Sequence, residues 1–173
     1  MSLARVTLVL LAPVLLLAAC ASDPSQGYSF SAARKSSVRT ISVPVFQNTT
    51  FSRGVETELT NAIVQEIQRT TQWKVVSGRT AQTVLSGTLT SSDLRPLSTS
   101  SSTGLVLEQG VELTVDFEWR DSGSGEVLIA RKGFKSLQSF VPSRGTGERL
   151  ELGQHAAVQE LARAMVNELR SAW

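Results

Sequence analysis

The sequence predicts an α+β fold, a two-layer α/β sandwich in which a mixed sheet of four to five strands carries two helices packed on one face. Three observations predict it. The stretch "VELTVDFEW" (111–119) alternates strictly, with Val111, Leu113, Val115, Phe117 and Trp119 facing one way and Glu112, Thr114, Asp116 and Glu118 the other, the period-two signature of a strand with one buried face. Residues 55–69 and 150–172 place apolar side chains at helical spacing, so each presents one apolar stripe to a core. The first of these helices lies between two short apolar strands, an arrangement that makes a βαβ unit with parallel strands and a right-handed crossover. One apolar sheet face and two apolar helix stripes are complementary layers.

The elements follow in order. In "RTISVPVF" (39–46), Ile41, Val43 and Val45 alternate with Thr40, Ser42 and Pro44; Pro44 has no N–H, so the strand is an edge or ends near it. "QNTTFSRG" (47–54) reads as a turn, with Thr50 or Ser52 available to cap the next helix. In that helix Val55, Leu59, Ala62, Ile63 and Ile67 share a face, Glu56 and Glu58 stand in the first turn and Arg69 in the last, as the helix dipole favours. "WKVV" (73–76) is the returning strand and 82–94 a third. "RPLSTSSSTG" (95–104) reads as an exposed Ser/Thr hairpin or loop. After the strand at 111–119, "RDSGSGE" (120–126) is a hairpin turn and "VLIARKGFK" (127–135) pairs back. Residues 136–148 read as a polar loop, and the helix at 150–172 has the stripe Val158, Leu161, Ala162, Met165 and Leu169.

Residues 38–173 are therefore expected to form a single domain, and the segments before it have other roles. Arg5 is followed by an apolar run over 6–19, too short for the roughly 20 residues of a membrane-spanning helix and suited to a secretory signal. The run ends in Leu17-Ala18-Ala19-Cys20, which resembles the lipobox of bacterial lipoproteins. That resemblance implies cleavage before Cys20 and acylation of its thiol, with residues 1–19 the signal peptide and 20–37 a polar tether. Ala21 rather than aspartate after the cysteine implies the outer membrane. Cys20 is the only cysteine, so no internal disulfide supports the fold. Lys and Arg number 17 against 15 Asp and Glu; without Arg5 the balance is nearly even, and no basic run or basic-aromatic stripe points to nucleic acid.

Little in the chain points to catalysis. His155 is the only histidine, and neither a nucleophile elbow nor a zinc-protease helix motif occurs. Glu112, Asp116 and Glu118 read as the wet face of a half-buried strand rather than a metal or acid–base cluster. Gly123 and Gly125 lie between strands and lack the helix N-terminus that a phosphate loop needs. No cofactor and no metal site is expected. The basic residues Arg95, Arg131, Lys132, Lys135, Arg144 and Arg149 are of the type that forms charge-assisted bonds with phosphorylated lipid head groups.

Residues 41–90 carry a more specific pattern. Phe46, Asn48, Phe51, Gly54, Glu58, Leu59, Thr60, Ala62, Val75, Val76, Leu85 and Gly87 follow the order and spacing of the LPS-assembly lipoprotein family LptE, which this sequence resembles from the lipobox to the terminal helix. Gln82 stands where that family usually has aspartate. The resemblance implies a non-enzymatic lipoprotein on the periplasmic face of the outer membrane. It implies a plug and assembly partner of the LptD β-barrel in lipopolysaccharide transport, possessing basic residues that bind lipopolysaccharide; Arg95, Arg144 and Arg149 are the candidates here. The strand "VPVFQN", the helix and "WKVV" also resemble the N-terminal domain of TolB-like and curli-secretion lipoproteins, which implies instead a periplasmic adaptor without lipopolysaccharide binding.

Overall fold

The computed structural model describes residues 38–141 and 150–171. The expected signal peptide and tether with Cys20, and the candidates Arg144 and Arg149, lie outside the described residues. The elements are β1 (Thr40–Ser42), β2 (Gln47–Asn48), α1 (Val55–Thr70), β3 (Lys74–Val75), a short 3-10 turn (Gly78–Thr80), β4 (Thr83–Thr99), β5 (Val106–Asp121), β6 (Val127–Phe140) and α2 (Leu150–Ser171). They form the predicted α+β sandwich. The sheet runs β3-β1-β4-β5-β6, with β2 joined to β4 as a sixth strand. β1 is parallel to both β3 and β4, and β4, β5 and β6 form an antiparallel meander.

One face of this mixed sheet supports both helices. The five inward residues of β5 are all buried and join Ile41, Leu85, Leu89, Ile129 and Phe140 of the other strands, with Phe46 from the link between β1 and β2. Against them α1 sets Val55, Leu59, Ala62, Ile63 and Ile67, and α2 sets Ala157, Val158, Leu161, Ala162, Met165, Val166 and Leu169. Each fully buried aliphatic side chain contributes about 1.5–3 kcal/mol relative to exposure. Trp73 leans on Trp119 with ring centroids 5.2 Å apart, and Phe134 meets Phe117 edge-on at 5.4 Å.

The structure corrects the sequence reading at four places. First, Gln47–Asn48 is not turn but strand, pairing in parallel with Thr88–Leu89. The chain leaves β4 after Ser42 because Pro44 cannot donate to the ladder, then rejoins it; in the gap the buried Phe46 N–H donates to Thr60 Oγ1 at 3.0 Å. Second, α1 has no side-chain cap. Its N-cap is Gly54 at φ 89°, a left-handed conformation that glycine adopts without steric cost. Third, β4 does not end at residue 94, and of the hairpin and loop readings of 95–104 the hairpin holds. β4 continues to Thr99, paired with Val106, across irregularities near Thr90 and Leu97. Pro96 is tolerated there because no strand pairs β4's outer edge beyond Leu89 among the described residues. Fourth, β6 extends past residue 135 to Phe140, opposite Gln109.

Two departures from regular pairing have visible causes. Between Arg131 and Phe134 the β5–β6 register shifts; Gly133 takes φ 63° and its N–H donates to Asp116 Oδ1 at 2.7 Å. In the β5–β6 turn, Asp121 Oδ1 accepts the N–H groups of Gly123 and Ser124 at 2.9 and 2.8 Å. Gln82 serves as an acceptor at its position. Its Oε1 accepts the N–H groups of Arg39 and Thr40 at 2.7 and 3.3 Å, tying the start of β1 to β4.

Candidate functional site

The helix-free face of the sheet gathers the polar and basic side chains. Because β5 alternates, Glu112, Asp116 and Glu118 all point to it. Register then decides their neighbours. Arg95 of β4 pairs with Gly110 and Lys135 of β6 with Thr114, so both cations flank Glu112. Arg95 Nη2 lies 2.8 Å from Glu112 Oε1 and Lys135 Nζ 3.5 Å from the same oxygen. The Glu112 side chain is only 14 % exposed, against 54 % for Arg95 and 56 % for Lys135. Two cations thus share one carboxylate and leave a surplus positive charge with its donors in solvent. Exposed pairs of this kind contribute at most about 1 kcal/mol, so an incoming anion competes for them at small cost.

An apolar pair stands beside these cations. A Cβ built on Gly110 would lie 2.7 Å from Leu137 Cδ1 and 3.3 Å from Leu97 Cδ1. The two leucines therefore close over the glycine, both partly exposed. A side chain at 110 would push the methyl groups of these leucines aside. Cations and leucines together make this end of the face amphiphilic. Further along the sheet an open groove of about 930 Å³ is lined by Val43, Pro44, Val75, Val84, Ser86 and Arg120 among others.

The remaining carboxylates are separately engaged. Asp116 holds Gly133 and Glu118 pairs with Arg120. No group of three His, Cys, Asp or Glu is placed to hold a metal among the described residues. Arg131, in the same strand as Lys135, reaches the other layer and pairs with Glu168 of α2. His155 is exposed, its Nδ1 2.5 Å from Glu58 Oε1, linking α2 to the first turn of α1. Near the start of α1 the Glu56 carboxyl is held below its ordinary value of 4.5, by its own backbone N–H first and by the Asn48 amide next.

Of the candidates read from sequence, the structure places Arg95. Its partner Glu112 and neighbour Lys135 were visible as a wet strand face and as one of several basic residues. Their convergence comes from cross-strand register, which no local pattern encodes. Leu97 was hidden in a stretch whose serines and threonines resemble a loop.

A model of the LptE family, described as lipopolysaccharide-assembly, matches residues 38–172. The chain belongs to the LptE family. Family membership associates it with the lipopolysaccharide-transport machinery, and the family is a non-enzymatic one. No curated protein matches the chain. Among solved structures, a Xanthomonas campestris protein shares 10 % identity over 78 % of this chain and 85 % of its own, with a TM-score of 0.54. A hypothetical protein of Chlamydia trachomatis shares 10 % identity over 76 % of this chain and 95 % of its own, at 0.53. The rare lipoprotein B of Shewanella oneidensis is similar at 14 % identity over 77 % of this chain and 95 % of its own, at 0.49. The first two likenesses show a shared fold alone.

Proposed function

We propose that this LptE-family protein is a lipid-anchored plug and assembly partner of an LptD-type outer-membrane β-barrel, without catalytic activity, in the transport of lipopolysaccharide to the cell surface. Residues 1–19 are removed as a signal peptide. Cys20 is acylated, residues 20–37 form the tether, and residues 38–173 are the domain held at the periplasmic face of the outer membrane. The match to the family over residues 38–172 carries this reading.

The helix-free face supports a lipopolysaccharide contact. Arg95 and Lys135 have the charge-assisted donors that phosphate oxygens accept, and Leu97 and Leu137 beside them offer an apolar contact for the adjoining lipid. Arg144 and Arg149 are further candidates for the same contact. A protein that handles an amphiphile needs both chemistries within one molecule's reach, and this end of the sheet has them.

The test is purification of the tagged, full-length chain from its own outer membrane in mild detergent, with bound proteins identified by mass. A barrel of LptD type at one-to-one stoichiometry is the expected result. A homo-oligomer, or periplasmic partners and no barrel, would overturn the plug reading.

A further inference from the structure

Phe51 is the most exposed large apolar side chain among the described residues, at 103 % of its reference area, where the next, Val45 and Leu152, stand at 62 % and 60 %. Single exposed apolar residues are ordinary on protein surfaces. What distinguishes this one is the loop that presents it. Asn48 bridges across Phe51. Its Oδ1 accepts the Thr50 N–H and hydroxyl, both at 2.8 Å, while its Nδ2 donates to the Ser52 carbonyl at 2.9 Å and to Glu56 Oε2 at 2.6 Å. The Ser52 N–H donates to Thr50 Oγ1 at 3.2 Å. At the base, the N–H and hydroxyl of Thr49 both donate to the Leu89 carbonyl at 3.0 Å. Both neighbours of Phe51 are thus held by hydrogen bonds within the loop.

We infer that Phe51 is a preordered anchor that docks the domain onto its β-barrel partner, entering an apolar pocket with an acidic rim. The inference rests on the plug reading and adds the residue that makes the contact. A loop backbone held in place before binding loses little freedom on docking, and aromatic rings in water-excluding pockets carry a large share of interface energy. The acidic rim follows from Arg53, two residues on, which is exposed and has no ion-pair partner among the described residues. A bilayer is the poorer occupant. One ring flanked by Thr50 and Ser52 has too little apolar area to seat a domain on lipid, whereas a shaped pocket excludes water around it.

The experiment compares wild type, Phe51→Ala and Phe51→Leu as full-length tagged chains at equal expression, each purified in mild detergent with barrel recovery quantified. Phe51→Ala is expected to keep the wild-type melting temperature and membrane fraction and to recover at least tenfold less barrel, with Phe51→Leu in between. A photoreactive phenylalanine analogue at position 51 is expected to cross-link to the barrel in intact cells. Wild-type recovery of barrel by Phe51→Ala, or cross-linking to lipid alone, would overturn the anchor and leave the plug reading intact. If wild type recovers no barrel, the plug reading fails first and the anchor with it.

Discussion

Thr60 is the residue on which the break between β1 and β2 depends. Its hydroxyl accepts the Phe46 N–H at 3.0 Å and donates to the Glu56 carbonyl at 2.7 Å, so one side chain ties the interrupted strand to α1. The bond to Phe46 is buried, and a buried donor left without a partner costs about 1–3 kcal/mol. Thr60→Val keeps the shape and removes the oxygen. It is expected to lower stability in urea unfolding by that amount, while Thr60→Ser loses much less. A larger loss for Thr60→Ser than for Thr60→Val would mean that the methyl group, not the hydroxyl, matters here. Sequence placed Thr60 on the right helix and could not assign this bond, because the need for it arises where Pro44 interrupts β1. The exposure of Phe51 was hidden for a similar reason. An apolar residue in a turn reads as a candidate for burial until Asn48 is seen to clamp the chain on both sides of it.

At the scale of elements, periodicity was the reliable signal. The alternation over 111–119 and the stripes of α1 and α2 fall where the buried residues are, since a two-sided environment imposes its period on whatever lies in it. β4 from Arg95 to Thr99 and β6 from Ser136 to Phe140 escaped because their serines, threonines and proline are turn-formers, and pairing with β5 outweighs local preference. Gly87 tests how closely these layers fit. A Cβ there would stand 2.3 Å from Phe46 Cε1 and 2.7 Å from the Asp116 carbonyl. Phe46 is buried and the carbonyl belongs to the β5 backbone, so neither has room to give way. Gly87→Ala is expected to destabilise by about 1–3 kcal/mol, the usual cost of overpacking. Trp119, which stacks on Trp73 inside the same core, is the fluorescent reporter for the urea titration. An unchanged midpoint would show that Phe46 does not lie over Gly87 in solution.

The whole molecule poses the question of attachment. No helix among the described residues is long and apolar enough to cross a membrane. The charge balance of 17 basic to 15 acidic residues gives no strong pull toward anionic lipid. Two holds remain on the reading proposed here, the acyl chains on Cys20 and the barrel. Acyl chains contribute roughly 0.8 kcal/mol per buried methylene, and more than one chain makes release negligible; the barrel saturates at its own abundance. Expression well above that abundance separates the two. Surplus wild-type protein is expected to stay in the membrane fraction, whereas surplus Cys20→Ser protein is expected in the soluble fraction or as uncleaved precursor. Of the cleaved form of that variant, only a barrel-equivalent portion should remain with the membrane, and that portion should fall with Phe51→Ala. Complete membrane partitioning of surplus, cleaved Cys20→Ser protein would remove acylation as the anchor and leave an attachment that neither charge nor any described helix explains.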